Sequence, residues 1–104
     1  MDRVVELHQI VEREVADYVR ESPNGTLYFL ADKKSPVFAT IGVPQARGAR
    51  SSVVVMAKIE NDQVVILADI TDRPLVDELV RAGIPREQIV LAYAGEVPRP
   101  PVHA

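Results

Sequence analysis

The chain has 104 residues, a formal net charge of −3, 47% hydrophobic residues and no cysteine. This length predicts a single domain over 1–104, with 94–104 as a proline-rich tail. The lack of cysteine excludes a disulfide framework and a thiolate metal site. No apolar run is long enough to cross a membrane, and the N-terminus is too charged for a signal peptide, so we expect a cytoplasmic protein.

The first predicted element is a helix over 2–21. Apolar residues recur on one side of it at helical spacing, among them Leu7, Val11 and Val15, while charged residues occupy the other sides. His8 falls within the apolar stripe, where a structural histidine is a better interpretation than a metal ligand.

Four strands follow, and turn-forming residues separate them. Gly42 interrupts the second strand and suggests a bulge or a close approach there. Asn61 and Asp62 can supply the positive φ angles of a tight hairpin turn between the last two strands. The predicted strands are 26–31, 37–43, 50–59 and 63–69.

The third and fourth strands are apolar on both faces, whereas half-exposed strands alternate apolar and polar residues. Both faces should therefore be covered: one by the two helices, the other by the tail or by another subunit. We expect a homo-oligomer or a complex with a different protein. The candidate interface residues, taken from the second face by strict alternation, are Val54, Met56, Val65 and Leu67.

The stretch 69–93 predicts a helix, a turn and a strand. Thr71 or Asp72 can act as N-cap, and Pro74 suits the first turn of the helix. Gly83 can close the helix with φ > 0, and Pro85 prevents it from restarting.

Asp69 ends the fourth strand beside this unit. We interpret it mainly as an acceptor of hydrogen bonds from the helix start, with a partner-facing carboxylate as the alternative. The fold class is therefore α+β: an N-terminal helix, an antiparallel sheet of about four strands, then helix–turn–strand.

The segment 71–93 reads T-D-R-P-L-V-D-E-L-V-R-A-G-I-P-R-E-Q-I-V-L-A-Y. It resembles the T-E-x-x-I-A-x-E-L-V-x-A-G-[VI]-P-K-x-D-I-V-L-[GA]-F segment of the XisI-like family, the fdxN element excision controlling factors. The stretches 10–18 and 58–66 are similar to the opening helix and a hairpin of that family. The sequence departs from the family at Met56, where a histidine is usual, and at Val65, where a tryptophan is usual.

The resemblance implies an accessory factor in programmed DNA rearrangement. Such a factor would work beside a recombinase, by contact with an XisH-type protein, and would not be an enzyme. One alternative is a small-molecule-binding module that uses a pocket between the sheet and 75–80. A second alternative is direct nucleic-acid binding.

The nucleic-acid alternative depends on a basic region, because 33–59 contains no acidic residue. Basic residues on loops are more often simply solvated, and that is the preferred interpretation here. The candidate contacts to an acidic partner or to nucleic acid are Lys33, Lys34, Arg47, Arg50 and Lys58, with Arg99 in the tail.

Catalytic patterns are missing from the sequence. There is no H-x-x-x-H, no Gly-rich phosphate loop and no G-x-S-x-G. Asp77 and Glu78 point to different sides of the predicted helix and cannot act as a paired acid and base. We therefore expect no enzymatic activity, no metal and no cofactor.

Overall fold

The computed structural model describes residues 3–20 and 25–98, with the side chains of 3–5 excepted. It has the predicted α+β fold. The elements are α1 (Arg3–Ala16), β1 (Gly25–Asp32), β2 (Val37–Pro44), β3 (Ser52–Glu60), β4 (Gln63–Asp69), α2 (Leu75–Arg81) and β5 (Ile89–Leu91), with 3₁₀ turns at Arg86–Gln88 and Ala92–Ala94.

The strands form one five-stranded sheet in the order β1-β2-β3-β4-β5. The first four pair antiparallel, as the sequence predicts, and β5 adds to β4 in parallel. The parallel pairing follows from the connection, because a parallel neighbour needs a crossover and α2 supplies it. The sheet is therefore mixed.

The β3–β4 hairpin has the predicted turn. Asn61 and Asp62 have φ angles of 53° and 61°, and Glu60 pairs with Gln63. Two consecutive positive φ angles give a two-residue loop whose twist matches the strands, and Asn and Asp tolerate this conformation.

Both helices cover the same face of the sheet. α1 contacts β1, β2 and β3, and α2 contacts α1 and β4. One buried apolar cluster lies between the layers, and Thr40 is the buried polar side chain beside it, with its hydroxyl donating to the Val15 carbonyl at 2.7 Å. The cluster consists of Leu7, Val11, Val15, Tyr18, Phe38, Val55, Ala57, Val64, Ile66, Leu75, Leu79, Ile84 and Ile89.

The second face carries no helix among the described residues, and we call it the open face. Directly paired residues share a face, so the strand registers assign its members. Its apolar residues are Tyr28, Leu30, Val37, Ala39, Ile41, Val43, Val53, Met56, Val65, Ala68 and Val90.

Two bulges decide that assignment. Thr40 pairs with Val55 but Ile41 pairs with Val53, so Val54 is an extra residue in β3. Leu67 is likewise the extra residue in β4. A bulge reverses the alternation of the residues beyond it. The irregularity predicted at Gly42 lies one residue away in β2, between Thr40 and Ile41, and its extra residue is in the neighbouring strand.

Both helices are shorter than predicted. α1 ends at Ala16 instead of residue 21, and the chain turns so that Tyr18 packs into the core and its hydroxyl donates to the Arg73 carbonyl. α2 begins at Leu75, and Pro74 is the N-cap residue without a side-chain cap. The prediction of Thr71 or Asp72 as N-cap is wrong, since Asp69 reaches the helix start from β4.

None of the helices in the described residues is long and apolar enough to span a membrane.

Candidate interaction surfaces

Asp69 joins the end of β4 to the start of α2. Its Oδ2 accepts a hydrogen bond from the Leu75 N–H at 2.7 Å, and its Oδ1 accepts one from the Thr71 N–H at 2.9 Å. The Thr71 hydroxyl lies 2.6 Å from the same Oδ1. Both carboxylate oxygens are engaged within the chain, so Asp69 serves the fold and is not a free carboxylate for a partner.

Tyr18 and Arg73 fasten α1 to the loop before α2. The Arg73 guanidinium lies 4.5 Å from the centre of the Tyr18 ring, a cation–π contact, and 3.2 Å from Asp17 Oδ2. Burial, with the nearby Asp69 carboxylate second, raises the pKa of Tyr18 to about 12. The phenol is protonated at neutral pH and its proton is donated to a carbonyl, so Tyr18 has no acid–base role to offer.

The predicted basic region is not one surface. Lys33 and Lys34 lie in the β1–β2 turn and Arg47 and Arg50 in the β2–β3 loop, at opposite ends of β2. A strand of eight residues separates these ends by about 23 Å at 3.3 Å per residue.

Ion pairs reduce the basic charge further. Lys33 Nζ lies 3.5 Å from Glu12 Oε2, and Lys58 Nζ lies 3.2 Å from Glu60 Oε2. The cations that the nucleic-acid alternative requires are therefore divided between two ends of the sheet. Arg99 lies outside the described residues.

The four candidate interface residues do not lie on one exposed surface. The β3 bulge turns Val54 to the helix-covered side, where a Cβ on Gly42 would lie 3.5 Å from its Cγ2. Val65 is on the open face but is only 1% exposed, so it offers no free surface. Met56 is on the open face and half-buried. Leu67 is half-buried and, as the extra residue of the β4 bulge, has no directly paired residue that assigns it to a face.

Sequence reasoning missed the most exposed residues of the open face. These are Tyr28, 51% exposed, and Leu30, 56% exposed, on β1. It also missed Val53 on β3, 36% exposed, which takes the place expected for Val54. Alternation along 26–31 could have found the first two, because Thr26, Tyr28 and Leu30 fall on one side. No local sequence signal identifies Val53 as exposed, because the bulge decides on which face of the sheet its side chain lies.

Metal-ligand groupings are missing from the part of the chain that the structure describes. Within it, no three His, Cys, Asp or Glu residues lie together as metal ligands. His8 is half-buried on α1, and Ser51 and Ser52 are exposed at the start of β3. The space proposed for a small molecule, between the sheet and α2, is filled by the fully buried Leu75 and Leu79.

The sequence was compared with known families and structures. The model of the XisI protein family matches residues 1–102. The chain belongs to the XisI protein family. A search of curated proteins finds no match.

Solved structures share the family fold. A XisI-like protein from Anabaena variabilis ATCC 29413 superposes with a TM-score of 0.77 at 22% identity, over 86% of this chain and 85% of that one. The fdxN element excision controlling factor XisI from the same organism superposes with a TM-score of 0.75 at 21% identity, over 88% and 93%. At this identity the likeness establishes the fold.

Proposed function

We propose that this XisI-family chain is a non-enzymatic accessory factor that controls excision of a DNA element by contact with an XisH-type protein. The observation that carries the proposal is family membership over residues 1–102, together with a fold shared with a fdxN element excision controlling factor. The placement of charged and apolar residues agrees with a role based on protein contact.

The polar groups support a scaffold more than a reaction centre. Asp69 caps α2, Tyr18 donates to a carbonyl, and Arg73 contacts Asp17 and Glu78 at 3.2 and 3.6 Å. A catalytic acid or base needs a free proton site facing a substrate. These groups use their polar atoms in contacts that join α1, β4 and α2.

The open face supports protein contact. Its half-buried centre at Ile41 and Met56 and its exposed margin at Val53 are apolar, and large apolar surfaces left in water mark interaction sites. Nucleic-acid binding has less support, because the cations lie at two ends of the sheet and two of them are paired with glutamates.

Co-purification with an XisH-type protein tests the proposal. We expect Met56→Lys and Ile41→Lys to abolish recovery of the partner, while Val80→Lys, on the exposed side of α2, retains it. The melting temperature of each variant shows whether it is folded. A PCR across the excision junction then reports whether the element is excised in cells that carry each variant.

Two outcomes would contradict the proposal. One is excision that proceeds normally when the gene is deleted. The other is a DNA affinity of the isolated chain that falls steeply with salt and is lost in the Arg47→Ala/Arg50→Ala variant, because counterion release is the mark of direct phosphate contact.

A further inference from the structure

The two edges of the sheet differ in whether side chains hydrogen-bond their outward backbone groups. β5 forms one edge, and its outward backbone groups are bonded by side chains. Arg86 Nη1 donates to the Ile89 carbonyl at 2.8 Å, and the Leu91 N–H donates to Glu96 Oε1 at 2.9 Å. Arg86 Nη2 also lies 3.0 Å from Glu96 Oε2. This clamp closes the β5 edge against further strands.

β1 forms the other edge and has no such clamp among the described residues. It is eight residues long and reads G-T-L-Y-F-L-A-D, without proline, lysine or a bulge. Every second residue of an edge strand directs its N–H and C=O away from the sheet, and natural edges are usually blocked by those features. The β1 edge is therefore competent to pair with another strand.

We propose that β1 pairs antiparallel with β1 of a second copy of this chain, about a two-fold axis, to form a continuous ten-stranded sheet. β1 can pair with a second β1 in this way while both copies keep their open faces on the same side of the combined sheet. Antiparallel partners share a face, so residues of the open face must meet residues of the open face. The longest pairings centre on Tyr28 opposite Tyr28, or on Phe29 opposite Phe29 with Tyr28 opposite Leu30.

The charge distribution of β1 favours β1 of a second copy as the pairing strand. Asp32 is the last residue of β1 and Lys33 and Lys34 follow it, while 22–27 is uncharged. Antiparallel pairing places the charged end of each copy beside the uncharged end of the other, so no like charges meet. A two-fold axis makes the interface isologous, and it closes as a dimer without exposing a new edge.

The exposed residues of the open face also fit. Tyr28 and Leu30 are 51% and 56% exposed, and both lie on β1. Across the two-fold axis Tyr28 would pack on Tyr28 of the second copy in the first register and on its Leu30 in the second, and cross-strand aromatic and aliphatic pairs stabilise sheets. The centre of the open face, at Ile41 and Met56, stays accessible in such a dimer, so a different protein can still bind there.

Oligomeric state tests the proposal on the full chain. We expect sedimentation equilibrium to show a dimer for the parent. The double variant Tyr28→Lys/Leu30→Lys should raise the dimer Kd about tenfold or more, because it brings lysines together at the axis. Val53→Lys, on the open face two strands away, and Val80→Lys, on α2, should leave the Kd unchanged. Circular dichroism melting shows whether each variant is folded.

A cross-linking experiment tests the strand contact directly. The chain has no cysteine, so any disulfide comes from an introduced pair. Tyr28→Cys/Leu30→Cys should form a covalent dimer on mild oxidation in either register, because antiparallel partners have Cα atoms about 4.5–5.5 Å apart, within disulfide range. The control is Val80→Cys.

Three results would overturn the pairing. They are a monomeric parent, a dimer that Val53→Lys dissociates and the β1 variant does not, and cross-linking no faster than in Val80→Cys. None of these measurements involves an XisH-type protein or excision, so they can fail without affecting the proposed function.

Discussion

Asp69 Oδ2 accepts a hydrogen bond from the Leu75 N–H at 2.7 Å, although the two residues are six positions apart. The last residue of β4 thereby satisfies a backbone donor in the first turn of α2, where donors have no helical partner. The N-cap residue itself is Pro74, whose side chain cannot accept a hydrogen bond. Asp69 thus supplies the hydrogen bond that an N-cap side chain usually provides.

Replacing Asp69 should destabilise the fold. Asp69→Ala removes an acceptor from a helix start and should lower the free energy of unfolding by about 1–2 kcal/mol, as loss of an N-cap does. Asp69→Asn keeps one side-chain oxygen and should cost less. Urea unfolding measures both. Asp72→Ala is the control, because Asp72 is exposed nearby, and an equal loss in that variant would contradict the capping role.

Gly83 closes α2 through its backbone alone. Its φ is 111°, its N–H donates to the Val80 carbonyl, and the Ile84 N–H donates to the Leu79 carbonyl, which is the Schellman arrangement. A Cβ at Gly83 would meet nothing within 4 Å. Gly83→Ala and Gly83→Val should therefore both cost about 1–2 kcal/mol in thermal or urea unfolding, because the loss is conformational. A much larger loss for Val would mean that packing is responsible.

Tyr18 should make the stability depend on pH in the alkaline range. Its pKa is raised to about 12 by burial first and by Asp69 second. A raised folded-state pKa gives stability that is complete below the unfolded value, near 10, and is lost as the pH rises toward 12. Urea unfolding of the parent should show this loss, and Tyr18→Phe should show less of it. Identical alkaline slopes in the two proteins would contradict the assignment.

Glu96 should protect the β5 edge in a pH-dependent way. The Leu91 N–H first, and Arg86 second, hold the pKa of this carboxyl below its usual range. A lowered pKa gives stability that is present above the ordinary value and is lost as the pH falls through the lowered one. We expect Glu96→Gln to speed hydrogen exchange of the Leu91 amide, measured by NMR, with Asp72→Asn as an unaffected control.

The sequence by itself determined the elements whose signals are local. Gly83 and Pro85 close α2, and Asn61 and Asp62 form a hairpin turn, because each needs only its own backbone preference. Apolar spacing predicted the strands, β5 included, to within two residues. The resemblance to the XisI-like family could also be recognised from the sequence alone, and the family model that matches residues 1–102 confirms it.

Only the tertiary structure decided which residues share a surface. Val53 lies on the open face where Val54 was predicted, because a bulge set by pairing with β2 makes Val54 an extra residue in β3. The basic residues of 33–58 lie apart from one another because successive hairpin loops lie at opposite ends of a sheet. Contacts between Tyr18 and Arg73, 55 residues apart, fixed the loop before α2. Each of these results depends on segments that are distant in the chain, and residue spacing carries no information about how such segments meet.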